Sequence, residues 1–95
     1  MGLLSDGEIE ERLGGLQGWV RDGSSIKRTF ECGDFVGSTN FVADMVGPAE
    51  DMGHHPDIEI SWDQVTVTLS THSEGGLTKA DFELAATINE LYPND

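Results

Sequence analysis

The chain has 95 residues, enough for one domain spanning 1–95 with a single core, at a size where folding removes only about 60 to 70 % of the unfolded chain's surface, so a shallow site or one completed by a second subunit is expected. Eighteen Asp plus Glu against five Lys plus Arg give a formal net charge of -13, which repels phosphate backbones and anionic lipid and argues against nucleic-acid or membrane-surface partners. Cys32 is the only cysteine, which excludes an intramolecular disulfide and a cysteine-based zinc site; Met1 to Gly7 lacks the basic and apolar runs of a signal peptide, and the expected compartment is the cytoplasm.

Ser5 with Glu8 three residues on reads as a capping box, and Ile9, Leu13 and Leu16 follow at helical spacing, so a first helix is expected from about Ser5 to Leu13, ended by Gly14 and Gly15. Trp19 and Val20, then Asp22-Gly23-Ser24-Ser25, then Ile26 to Phe30 read as two strands joined by a turn whose glycine can take positive φ. From Asp34, a natural N-cap, a second helix is expected with Phe35, Val42, Met45, Val46 and Ala49 on one face. Asp57 to Trp62 alternates apolar and polar residues, with Ile58, Ile60 and Trp62 on one side, and Gln64 to His72 repeats the alternation, which predicts a hairpin of two half-buried strands. Gly75-Gly76 breaks the chain, Thr78 can cap, and Asp81, Leu84, Ala85, Ile88 and Tyr92 define the stripe of a third helix ending before Pro93. The order αββαββα predicts an α+β domain: a four-stranded antiparallel sheet with three helices packed on one face.

The chemistry-bearing residues gather in the second half. Gly53-His54-His55-Pro56-Asp57 lies where the second helix gives way to the third strand, and Pro56 biases His55 toward extended backbone, so His54 and His55 are expected to point to opposite sides and do different jobs. His72 closes the fourth strand beside the Gly75-Gly76 turn, where a side chain can reach a site. Glu50 precedes His54 by one helical turn. Asp81 is the only charge on the third helix's apolar stripe and is expected to face inward. Each has a plainer reading: a solvated or hydrogen-bonded histidine, a capping-box acid with Thr78 for Asp81, a solvated acid for Glu50, a core residue for Trp62, and a zinc site if His54, His72 and Glu50 converge.

Taken together, Glu50-x3-His54-His55-Pro56-x5-Trp62-x9-His72-x8-Asp81 resembles the signature of the pterin-4a-carbinolamine dehydratase family. The flanking Phe41-Val42-Ala43, Ala49-Glu50, Leu69-Ser70-Thr71-His72, Gly76-Leu77 and Leu84-Ala85 are similar too, and the likeness runs from about Trp19 to Ile88. Gly47-Pro48 departs from it, interrupting a segment that the family keeps as plain helix, and Gly53 stands where some relatives carry an acid or Asn. The resemblance implies a hydro-lyase that expels the 4a-hydroxyl of a 4a-hydroxytetrahydropterin as water and removes the N5 proton to give the quinonoid dihydropterin, without metal or redox cofactor, in tetrahydrobiopterin recycling. Histidine suits both proton transfers because its ordinary pKa, about 6.5, lies near neutrality. His54 and His72 are expected as the acid/base pair, and His55 as the third catalytic histidine, which binds and orients the pterin and assists proton transfer. Glu50 and Asp81 would fix a histidine's tautomer or charge, and Pro56, Trp62 and Thr71 complete the substrate-binding or supporting set. The resemblance also implies a homodimer or homotetramer and leaves open a non-catalytic, partner-binding module, since animal members act as dimerisation cofactors for a transcription factor.

Overall fold

The computed structural model describes residues 2–93, whose elements run α1 (Asp6–Gly14), β1 (Val20–Asp22), β2 (Ser25–Glu31), α2 (Phe35–Met52), β3 (Asp57–Ser61), β4 (Gln64–Leu69), a one-turn 3-10 helix (His72–Glu74) and α3 (Lys79–Leu91). The order is the expected αββαββα, and the four strands form one antiparallel sheet in the order β1-β2-β4-β3. Ile26, Phe30, Val65, Val67 and Leu69 point inward from β2 and β4 and pack with Ile9 of α1, Phe41 and Met45 of α2, and Leu84, Ala85 and Ile88 of α3 into one core. Among the described residues, no helix is long and apolar enough to cross a membrane.

Local signals set most of the boundaries. The Ser5/Glu8 capping box forms in both directions, at 3.2 and 2.9 Å, and starts α1. Asp34 caps α2 by accepting from the Gly37 N–H at 2.7 Å, and Gly53 ends that helix at φ 60°, a left-handed conformation that glycine adopts without steric cost. Thr78 and Asp81 form the capping box of α3.

Four expectations need correction. The helix runs unbroken through Gly47-Pro48, because proline forfeits one backbone hydrogen bond while the packed face on either side holds the helix together. That face is Ser38, Phe41, Met45 and Ala49; Phe35 and Val46 are exposed. The helix is apolar over a wide arc, so periodicity alone does not say which part meets the core. Ser38 is tolerated there because its hydroxyl bonds the Trp62 and Asp34 carbonyls at 2.7 and 3.1 Å. β3 is an edge strand exposed along its whole length, and Trp62 is 70 % exposed, at the hairpin turn with φ 51°, instead of in the core. Finally, β4 stops at Leu69, so His72 opens the 3-10 turn rather than closing a strand.

Candidate active site

The site forms where the C-terminus of α2, the turn after β4 and the N-terminus of α3 meet. The left-handed Gly53 turns the chain out of α2, and the His54 N–H still bonds back to the Ala49 carbonyl at 3.0 Å, which fixes the backbone from which both histidines project. They diverge as expected. His54 turns inward, only 13 % exposed, and its Nε2 lies 2.6 Å from Oδ1 of Asp81 on α3. His55 turns outward, 65 % exposed, and pairs through Nε2 with Glu50 of α2. Glu50 therefore serves His55 and not the residue one turn ahead of it.

Asp81 is wholly buried and its carboxylate is surrounded by donors. Oδ1 receives the His54 ring N–H; Oδ2 receives the Thr71 hydroxyl at 2.9 Å and the Thr78 backbone N–H at 2.9 Å. Thr71 and Thr78 share a hydrogen bond of 2.8 Å between their hydroxyls. Because the Thr71 proton goes to Asp81, the Thr78 hydroxyl is the donor in that bond. Its own oxygen is left to cap the Asp81 N–H. No buried polar side-chain atom among the described residues lacks a partner, so this interior polar cluster is fully satisfied. With Nε2 committed to a carboxylate that only accepts, His54 in its neutral form carries its proton on Nε2 and presents Nδ1 as the open nitrogen.

His72 is adjacent to Thr71 and so stands beside this cluster, but it is 78 % exposed, and its Nε2 lies 3.7 Å from Oδ2 of Asp57, too long for a hydrogen bond. Asp57 heads β3 directly after Pro56, and its pairing with Thr68 brings the start of β3 beside the end of β4. His72 thus faces the loop that carries His54 and His55. Val42, Met45, Val46, Ala49 and Ile58 line an apolar groove of about 190 Å³ between α2 and β3, to which Glu50, His55 and Pro56 also contribute. Trp62 lies at the far end of β3 from these residues and does not join them. Among the described residues, no three His, Cys, Asp or Glu side chains gather closely enough to hold a metal ion.

Two contributors escaped sequence reasoning. Thr78 was legible as a capping residue but not as the hydroxyl behind Thr71; the i, i+3 spacing to Asp81 together with Thr71 at the preceding strand end was the available hint. Asp57 read as the outward residue of a strand. Its approach to His72 follows only once the β3/β4 register is known.

The family model for "Pterin 4 alpha carbinolamine dehydratase" matches residues 2–91. Relatives named "Putative pterin-4-alpha-carbinolamine dehydratase" include one from Roseiflexus castenholzii, 54 % identical over 89 residues that make up 94 % of this chain and 96 % of the relative. Another, from Koribacter versatilis, is 41 % identical over 90 residues, 95 % and 96 % of the two chains. Among solved structures, one described as a transcriptional coactivator/pterin dehydratase from Brucella melitensis superimposes with TM-score 0.90 at 35 % identity, covering 94 % of this chain and 97 % of that one. A pterin dehydratase-like protein described as a RuBisCO assembly factor in the alpha-carboxysome shares the fold, with TM-score 0.70 at 22 % identity over 83 % and 94 % of the chains.

Proposed function

We propose that this chain, which belongs to the pterin 4 alpha carbinolamine dehydratase family, is a hydro-lyase acting on a 4a-hydroxytetrahydropterin as one dehydratase domain over residues 1–95. The reaction breaks the C4a–O bond, the oxygen leaving with its electron pair and a proton from an acid as water. The N5–H proton passes to a base, and the N5 electrons form the C4a=N5 bond of the quinonoid dihydropterin. Nothing is oxidised or reduced, so two proton-transfer groups are all that the chemistry demands.

The observation that carries this reading is the bond from His54 to the buried Asp81. A histidine with one ring nitrogen held by a carboxylate and the other open is oriented and poised to take or give a proton, which suits one half of the reaction. His72, next in the chain to Thr71 of the same cluster and free of a firm partner, suits the other half. His55 in the lining of the apolar groove, supported by Glu50, suits binding and orienting the flat pterin, with Pro56 shaping the same loop and Thr71 holding the Asp81 carboxylate. Trp62 has no part in this arrangement.

The same reading includes a cytoplasmic location, no cofactor and assembly as a homodimer or homotetramer. A second reading, a partner-binding module without catalysis, is favoured by the exposed apolar side chains Val46, Ile58, Ile60 and Trp62. A dehydration assay with synthetic 4a-hydroxytetrahydropterin separates the two: turnover well above the spontaneous rate supports the enzyme, and a rate equal to the spontaneous one rejects it.

A further inference from the structure

We infer that Thr78 is a positioning residue for His54, acting through the hydroxyl chain Thr78 to Thr71 to Asp81 to hold the imidazole in the tautomer that leaves Nδ1 as its reacting nitrogen. This rests on the reading of His54 as a proton-transfer group and extends it to the residues that choose which of its nitrogens works.

The directions of these bonds follow from what each group is able to donate. Thr71 has one hydroxyl proton, and the geometry assigns it to Oδ2 of Asp81 at 2.9 Å. The 2.8 Å contact between the two threonine hydroxyls then has a single possible direction, Thr78 to Thr71. A hydroxyl that accepts one hydrogen bond while donating another is polarised and donates more strongly, so Thr78 reinforces the Thr71 bond to Asp81. Thr78 acts on the same oxygen again through its backbone N–H at 2.9 Å. Oδ2 is thereby fixed by two donors, and Oδ1 is left facing His54 at 2.6 Å.

Thr78 is wholly buried, as is Asp81, so no water competes for these positions. Without the Thr78 hydroxyl, Thr71 loses the donor that polarises and anchors its own hydroxyl, so its bond to Oδ2 weakens and the Thr78 N–H is the only donor still fixing that oxygen. The carboxylate then has freedom to rotate, and the His54 ring is no longer bound to one tautomer. Thr78 touches neither substrate nor imidazole in this scheme.

The test is the pair Thr78→Val and Thr78→Ser. Valine matches threonine in shape and retains the backbone N–H bond to Asp81, while serine restores the hydroxyl. Two readouts are taken. Long-range nitrogen-15 NMR at about pH 8.5, where an ordinary imidazole is neutral, reports the His54 tautomer without any turnover. Steady-state kinetics across pH reports kcat and KM separately. In the native protein and in Thr78→Ser, His54 is expected as a single Nε2–H tautomer. In Thr78→Val its two nitrogen shifts should move toward each other as the tautomers mix, with kcat lower by roughly 10- to 100-fold and KM within about twofold.

An unchanged His54 tautomer in Thr78→Val overturns the inference whatever the activity, and so does an equal loss of kcat in the Val and Ser variants, which would mark a purely structural position. If the native protein turns over no pterin, the proposed function fails while the tautomer measurement still decides this inference. Should Thr78→Val not fold, Thr71→Val cuts the same chain one link nearer Asp81 and leaves the cap in place, and the same two outcomes apply.

Discussion

Replacing His54 or His72 by Ala should affect turnover alike and stability very differently. Both are assigned to proton transfer, so each change is expected to lower kcat by roughly 10² to 10⁴. His54, however, donates at 2.6 Å to a carboxylate with no exposure to solvent. Truncation leaves Oδ1 of Asp81 without its donor, and a hydrogen bond to a charged group is worth about 1.5–3 kcal/mol. Water is able to enter because the His54 side chain is 13 % exposed, which keeps the loss at that level rather than at the greater cost of an unpaired buried charge. For a domain of this size, 1 kcal/mol corresponds to roughly 4–8 °C of Tm, so His54→Ala should melt roughly 10–20 °C below the native protein. The loss is a sizeable share of a typical stability of about 5–15 kcal/mol, and the variant should still fold at room temperature.

His72 has no such obligation. Its 3.7 Å approach to Asp57 joins two side chains that are 78 % and 75 % exposed, and surface pairs of this kind contribute about 0–1 kcal/mol. His72→Ala should therefore melt within a few degrees of the native protein while losing activity. Thermal unfolding followed by circular dichroism, alongside the dehydration assay, checks both halves. Equal midpoints for the two variants would show that the Asp81 bond does not carry the energy assigned to it. Near-native turnover in both would remove them as the acid/base pair.

Because the proposed dehydration asks the protein only for proton-transfer groups, activity should survive exhaustive chelation, and purified protein should carry no stoichiometric zinc or iron; loss on chelation restored by one metal would refute this. The exposed Val46, Ile58 and Ile60 beside an unpaired β3 edge predict a homo-oligomer, and the net charge of -13 predicts that its association strengthens as salt rises toward molar levels. Light scattering at several salt concentrations tests it, and a monomer at every salt, or dissociation on adding salt, contradicts it. Hydrogen bonds from the Ser5 backbone and hydroxyl hold the Glu8 carboxyl below its ordinary value of 4.5, so the capping box stabilises the folded state fully above that pH and less as pH falls through the lowered value. Ser5→Ala keeps the Ser5 N–H bond to Glu8 and should lower Tm at neutral pH while shrinking this acid-side dependence in part; an unchanged pH profile would show that the Ser5 hydroxyl contributes nothing to it.

The elements were legible because their signals are local. The two capping boxes, the Asp34 cap, the Gly23 turn and the alternation in β4 each act within a few residues, and all appear as read. The misplaced features depend on contacts between elements. Whether Phe35 or Phe41 faces the core is decided by the sheet: Phe41 packs edge-on to Phe30 of β2 with ring centroids 4.8 Å apart, and nothing within α2 states that. Trp62 follows Ile58 and Ile60 in phase, yet the β3/β4 turn begins at that residue and rotates it out. Likewise, the divergence of His54 and His55 was readable from Pro56, whereas the choice of Glu50 between them needed the direction in which the chain leaves Gly53.

Asp81 carries a further lesson in the comparison of the two capping boxes. Ser5/Glu8 on α1 and Thr78/Asp81 on α3 satisfy the same helix-end donors by the same motif, and the first does so in the open, with both residues exposed. Capping therefore gives no reason to bury the acid. Burying a carboxylate is costly unless donors surround it, and in a chain with 18 acids Asp81 is the only charged side chain among the described residues that is fully buried. The helix N-terminus, the Thr78 N–H and the Thr71 hydroxyl offset much of that cost. They would do so equally well at the surface, where no desolvation is incurred. What burial adds is a water-free contact with His54, in which the carboxylate has one ring nitrogen to hold and no solvent to exchange it with. The position of Asp81 is thus explained by the histidine it orients and not by the helix it caps.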